Sequence, residues 1–184
     1  MGGKINLDHE LRGPILFDYN IEDYNFVEEL SKWFKCDDLS EAHKIYSSDF
    51  DVLTFETDQS TIFHKTFYAI PRDSKFYTIY NTFIKNEIQE LFDEEIIYQR
   101  IPTFRAQVPN NLGVAEWHKD KQYNHSSKEV NIYLPLTDAY DTSTVWTETQ
   151  EGLGDYTPLE ATSGEYYVWS GKTTNSLVLA TVQR

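Results

Sequence analysis

The sequence predicts an α+β domain, with helices in residues 1–95 bracing a β core in residues 96–184. Three observations carry this. Residues 74–95 hold a long apolar stripe at helical spacing. From residue 96 the period drops to two, in about seven or eight short segments separated by Gly, Asn, Asp and Pro, the signature of a sandwich or barrel. At 184 residues, with no repeat, low-complexity tract or linker, the chain is most simply one domain, 1–184.

Taken in order, residues 1–13 are polar with three glycines and read as a mobile lead. PILFDYNI (14–21) is a short strand entered through Pro14. EDYNFVEELSKWFKC (22–36) places Phe26, Val27, Leu30, Trp33 and Phe34 on one helical face, with Asp23 as cap and acids at its front. LSEAHKIY (39–46) is a second short helix capped by Ser40 or Asp38. DVLTFET (51–57) reads as a strand, and FHKTFYAI (63–70) as a strand or packed connection that holds His64 at the core edge. In SKFYTIYNTFIKNEIQELFDEE (74–95), Phe76, Tyr77, Tyr80, Phe83, Ile84, Ile88, Leu91 and Phe92 form one stripe that braces a sheet.

In the second half, IIYQRIP (96–102) is extended and TFRAQVP (103–109) alternates. NNLG (110–113) is turn chemistry, and VAEWHKDKQY (114–123) is a strand. VNIYLPL (130–136) is a strand whose Pro135 marks an edge or an end. TVWTET (144–149) is another, QEGLGDYTP (150–158) a loop, SGEYYVWSG (163–171) an aromatic strand between turns, and SLVLATV (176–182) a last apolar strand.

The formal charge of −14 argues against a nucleic-acid or bilayer surface and favours a neutral or cationic partner. A lone Cys36 excludes an internal disulfide framework, a zinc ribbon and a CxxC redox site. No apolar run is long enough to span a bilayer, and the first residues lack a signal core, so a cytoplasmic protein is expected. A homo-oligomer is compatible with the sequence.

Chemistry concentrates in His118-Lys119-Asp120. On a strand, residues i and i+2 share a face, so the imidazole and the carboxylate point the same way and Lys119 points away. Two His and one carboxylate on one side of a metal make the facial triad of non-haem Fe(II). Arg105 and Gln107 share a face and suit a carboxylate or another polar ligand, or a salt bridge to one of many acids. Asn131 and Tyr133 also share a face and suit either a carboxylate ligand or simple cross-strand pairing. Trp117 reads as core, and Trp146 with Glu148 as a pocket wall or an ordinary inward aromatic with an outward acid.

The stretches YQRIPTFRAQVPNN (98–111), EWHKDKQYNH (116–125), EVNIYLPLTDAY (129–140), VWTE (145–148) and GLGDYTPLE (152–160) recur in order in a known pattern. They resemble the streptomycin biosynthesis StrG-like proteins, among the Fe(II)/2-oxoglutarate-dependent oxygenase-like proteins. The resemblance spans roughly residues 60–171 and implies a double-stranded β-helix (cupin-like) core. It implies Fe(II) held by His118 and Asp120 at the barrel mouth. It also implies 2-oxoglutarate as cosubstrate, with Arg105, Asn131 and Tyr133 as candidates to bind it, and hydroxylation of a small polar molecule. The alternative is a non-catalytic cupin-like binding or assembly protein with an incomplete metal site.

The pattern departs at the distal His, because none follows His125. Three arrangements fit: a tail altered relative to the family, His125 as third ligand, or Asn175 or water in its place. The Arg or Lys expected to pair the far carboxylate of the keto acid has one Arg candidate beyond Arg105, namely Arg184.

Overall fold

The computed structural model describes residues 4–5, 13–46, 60–108, 117–123, 128–150, 152–170 and 176–178. Strand β1 (Ile15–Asp18) is followed by helix α1 (Phe26–Phe34), a 3-10 turn at Leu39–Glu41, and helices α2 (Ala42–Ile45), α3 (Ile62–Tyr68), α4 (Lys75–Phe83) and α5 (Gln89–Leu91). A 3-10 turn at Asp120–Tyr123 precedes strands β2 (Val130–Tyr133), β3 (Val145–Glu148), β4 (Tyr156–Pro158), β5 (Glu165–Ser170) and β6 (Ser176–Val178). The architecture is α+β with two small antiparallel sheets, ordered β1-β5-β2 and β4-β3-β6. A closed double-stranded β-helix is not among the described elements.

The helices sit where their apolar residues put them. α1 starts one turn later than the acid cluster suggests: the Asn25 side chain accepts from the Glu28 N–H, whereas Asp23 is occupied by the Asn20 amide. Asp38, not Ser40, caps the Leu39–Glu41 turn by accepting from the Ser40 N–H. Residues 63–70, expected as strand or connection, belong mostly to helix α3. Thr61 caps it, and Phe63, Phe67 and Ile70 are buried at i, i+4 and i+7. The expected core-edge imidazole of His64 is buried there, with Nδ1 2.8 Å from Thr61 Oγ1 and Phe104 edge-on.

α4 and α5 form one rod joined by a π-helical turn at Ile84–Ile88. Phe83, Ile84 and Ile88 face inward across that turn, so the wider winding keeps the stripe on the core. The turn also carries Glu87, whose carboxylate accepts from the Tyr24 hydroxyl at 3.0 Å.

The two faces of the β1-β5-β2 sheet go to different neighbours. Phe17, Val130, Ile132, Tyr166 and Val168 face the helices and join the main core with Leu30, Phe67, Phe83 and Ile88. Asn131 lies opposite Trp169, and Tyr133 opposite Tyr167, on the other face. There Tyr133, Tyr167 and Trp169 pack with Val145 of β3 and with Leu159. β2 is an edge strand among the described residues and stops before Pro135, as its sequence suggests.

Other expectations need correction. Residues 103–108, expected to alternate as a strand, are in no ladder among the described residues. Residues 150–158, expected as loop, contain β4, which pairs with β3 from Trp146↔Pro158 to Glu148↔Tyr156. The lead is not wholly loose: Ile5 is buried and bridges Phe92 in parallel. The expected strand at 51–57 and most of the last strand, 176–182, lie outside the described residues. Among the described residues no helix is long and apolar enough to cross a membrane.

Candidate functional site

The expected strand through His118 and Asp120 is the main correction near the site. His118 forms a single bridge, and the chain then coils into the 3-10 turn at Asp120–Tyr123. The cause is local. The Lys119 N–H donates to the Gln122 side-chain carbonyl at 2.7 Å, and the Gln122 N–H donates to the Lys119 carbonyl at 2.8 Å. These bonds close a loop that a flat strand would leave open.

The two side chains nevertheless converge. His118 Nε2 lies 3.6 Å from Asp120 Oδ1, with the imidazole 29% and the carboxylate 14% exposed. Tyr123 stands edge-on to the imidazole, centroids 5.0 Å apart. Convergence therefore comes from a turn, not from strand alternation.

Asp120 is held from its other side. The Asn131 amide donates to Asp120 Oδ2 at 2.5 Å, bridging the 3-10 turn to strand β2. Asn131 was a candidate cosubstrate ligand by sequence, and here its amide is engaged with the candidate metal carboxylate. Tyr133, two residues along on the same face, has its hydroxyl 3.4 Å from the Thr144 hydroxyl. Burial pushes the Tyr133 hydroxyl above its ordinary range, with Thr144 acting the other way, so it stays protonated and can donate at neutral pH.

Arg105 is exposed and Gln107 half-buried on the extended segment before Val108. With Asn131 and Tyr133 they line an open trough that does not include His118 or Asp120. At about 2150 Å³ this trough exceeds the roughly 300–1,000 Å³ of an enclosing small-molecule pocket, so its lining alone defines no ligand site. Asn131 lines the trough and also bonds Asp120.

Trp169 was not singled out by the sequence reading, and Glu148 and Trp117 are placed otherwise than it expected. The Trp169 indole N–H, beside Asn131 in the ladder, is buried with no acceptor among the described residues. A donor in that state suits a water or a ligand oxygen. Glu148, expected outward or lining a pocket, is buried and accepts from the Gly154 N–H at 3.2 Å. Trp117, expected in the core, is 39% exposed and lies on Tyr156. For Trp169 the sequence signal was its place in an aromatic strand; for Glu148 and Trp117 there was none.

The donor set suits a divalent ion at its carboxylate and imidazole. Adjacent ligands at bond lengths of about 2.1 Å stand roughly 3 Å apart, and a small rotation takes the 3.6 Å pair there. Asn131 supplies the outer hydrogen bond that metal-ligating carboxylates generally have. No group of three or more His, Cys, Asp or Glu side chains placed for a metal is found among the described residues. His125, Asn175 and Arg184 lie outside them.

No family model matches the chain, and no solved structure matches it. A curated relative does: the streptomycin biosynthesis protein StrG of Streptomyces griseus is 37% identical over 120 residues. The chain spans about half that relative's length, with 55% of it matched. Over 65% of its own length, then, this chain is similar to a streptomycin biosynthesis protein, as the order of its motifs implies.

Proposed function

We propose that the chain acts in biosynthesis as an Fe(II)- and 2-oxoglutarate-dependent oxygenase, or a close relative of one, on a small polar molecule. The observation that carries this reading is the approach of His118 Nε2 to Asp120 Oδ1 at 3.6 Å, with Asp120 braced by Asn131. The similarity to a streptomycin biosynthesis protein supports the biosynthetic setting. The double-stranded β-helix belongs to the same proposal, supported by two antiparallel sheets that share the cluster around Trp169.

When bound, iron with its keto acid supplies the activation of O₂. The chain's own residues do the rest. His118 would offer Nε2 and Asp120 Oδ1 to the ion. Tyr133 offers a protonated hydroxyl and Arg105 a planar fork, both suited to carboxylate oxygens of the keto acid or to a polar substrate. Val145, Leu159 and Trp169 pack into one apolar cluster between the sheets.

Two measurements test the reading. Calorimetric titration with Mn(II), a redox-stable stand-in for Fe(II), is expected to show one site that His118→Ala and Asp120→Ala abolish. Succinate release from 2-oxoglutarate with Fe(II) is expected for wild type only. Metal binding without succinate release under any condition would leave the non-catalytic binding protein. No metal binding at all removes both the iron and the oxygenase.

A further inference from the structure

We infer that Asn131 is a positioning residue for the metal carboxylate, and that it holds Asp120 to one-oxygen coordination. This rests on the metal reading of His118 and Asp120. It changes the role of Asn131 from a cosubstrate ligand to the group that decides how Asp120 meets the ion.

The argument runs through the two oxygens of Asp120. Oδ1 faces the His118 imidazole at 3.6 Å. Oδ2 accepts from Asn131 Nδ2 at 2.5 Å. An ionised carboxylate only accepts, so the amide must turn its NH₂ toward it. The bond joins groups remote in sequence and part-buried in the structure, where a hydrogen bond to a charge is strong. Asn131 sits in the β2–β5 ladder opposite Trp169, a 5% exposed side chain, so it has a fixed base from which to act. Asp120 sits on a short 3-10 turn, which alone sets its direction less firmly. With Oδ2 engaged by the amide, Oδ1 is the oxygen turned toward an ion beside His118.

Asn131→Leu keeps the shape and deletes the donor. It is expected to weaken Mn(II) binding by about 10–100-fold. Freed Oδ2 can then swing onto the ion and raise the coordination number. Co(II) at saturation therefore reports the role directly: its visible absorption bands are expected to change in intensity in Asn131→Leu. A merely structural Asn131 would lower affinity and leave the saturated spectrum as in wild type. Asn131→Ser, too short to reach Asp120, is expected to behave like Asn131→Leu and serves if the leucine variant fails to fold. Unaltered Mn(II) affinity, or an unaltered Co(II) spectrum at saturation, overturns the inference while leaving the metal site standing. Absence of metal binding by wild type overturns the site and the inference together.

Discussion

Trp117 lies on Tyr156, with ring centroids 3.9 Å apart and planes at 41°. That contact joins the residue before His118 to strand β4, and through β4 to β3. The candidate metal segment is therefore held at both ends, by Trp117 on one sheet and by Asp120–Asn131 on the other. Aromatic pairs contribute about 0.5–1.5 kcal/mol beyond the area they bury. Trp117→Ala is expected to weaken Mn(II) binding by several-fold, with a smaller loss for Trp117→Phe. Calorimetric titration of the two variants checks the order.

Tyr133 separates binding from stability. Its hydroxyl has a long 3.4 Å contact to Thr144, and Thr144 also has the Leu159 carbonyl at 2.6 Å. Tyr133→Phe is expected to cost about 1 kcal/mol of stability or less, because Thr144 keeps its shorter bond. If Tyr133 donates to the keto acid, affinity for 2-oxoglutarate falls about tenfold, equivalent to one hydrogen bond of roughly 1.4 kcal/mol. Denaturant melts and a 2-oxoglutarate titration of the Mn(II) form read the two quantities separately.

Glu29 predicts an acid limb of stability. Burial pushes its carboxyl up, but the ammonium groups of Lys32 at 2.7 Å and Lys75 at 3.1 Å outweigh this and hold it below its ordinary value. A depressed carboxylate stabilises the fold above its unfolded pKa, and that contribution disappears as pH falls through the folded pKa. Glu29→Gln is therefore expected to lower stability at neutral pH and to flatten the decline below about pH 4. Melting temperatures from pH 3 to 7 for both proteins test the sign.

Tyr80 predicts an alkaline limb. Burial first, and the neighbouring Tyr98 second, push its hydroxyl up to about 12. A group whose folded pKa is raised stabilises the fold below its unfolded value, near 10, and that contribution falls as pH rises toward 12. Tyr80→Phe is expected to reduce the loss of stability between about pH 10 and 12. Denaturant midpoints in that interval check it.

Leu30 is wholly buried in the main core, on the α1 face that meets α3 and α4. Leu30→Ala is expected to cost about 2–5 kcal/mol, the range for a leucine truncated in a packed interior. The same change at Leu153, which is 61% exposed, is expected to cost under about 0.5 kcal/mol. Urea denaturation of the pair gives the contrast.

Much of this protein was legible in local pattern. The stripe of 74–95, the alternation in 130–136, 144–149 and 163–171, and the helix of 22–36 all reappear as elements, with ends moved by caps. α3 was misread because FHKTFYAI is rich in aromatic residues; its helical signal was the Phe63–Phe67 spacing behind Thr61. β4 was missed because three residues beside two glycines carry too little period to read.

The sequence by itself determined which side chains could do metal chemistry and that β2 would present Asn131 and Tyr133 together, because strand alternation is a property of neighbours in the chain. Only the tertiary structure decided that Asp120 leaves the strand, still meets His118, and is grasped by Asn131. Hydrogen bonds between segments depend on how the backbone turns between them, and no period in the sequence encodes that turn.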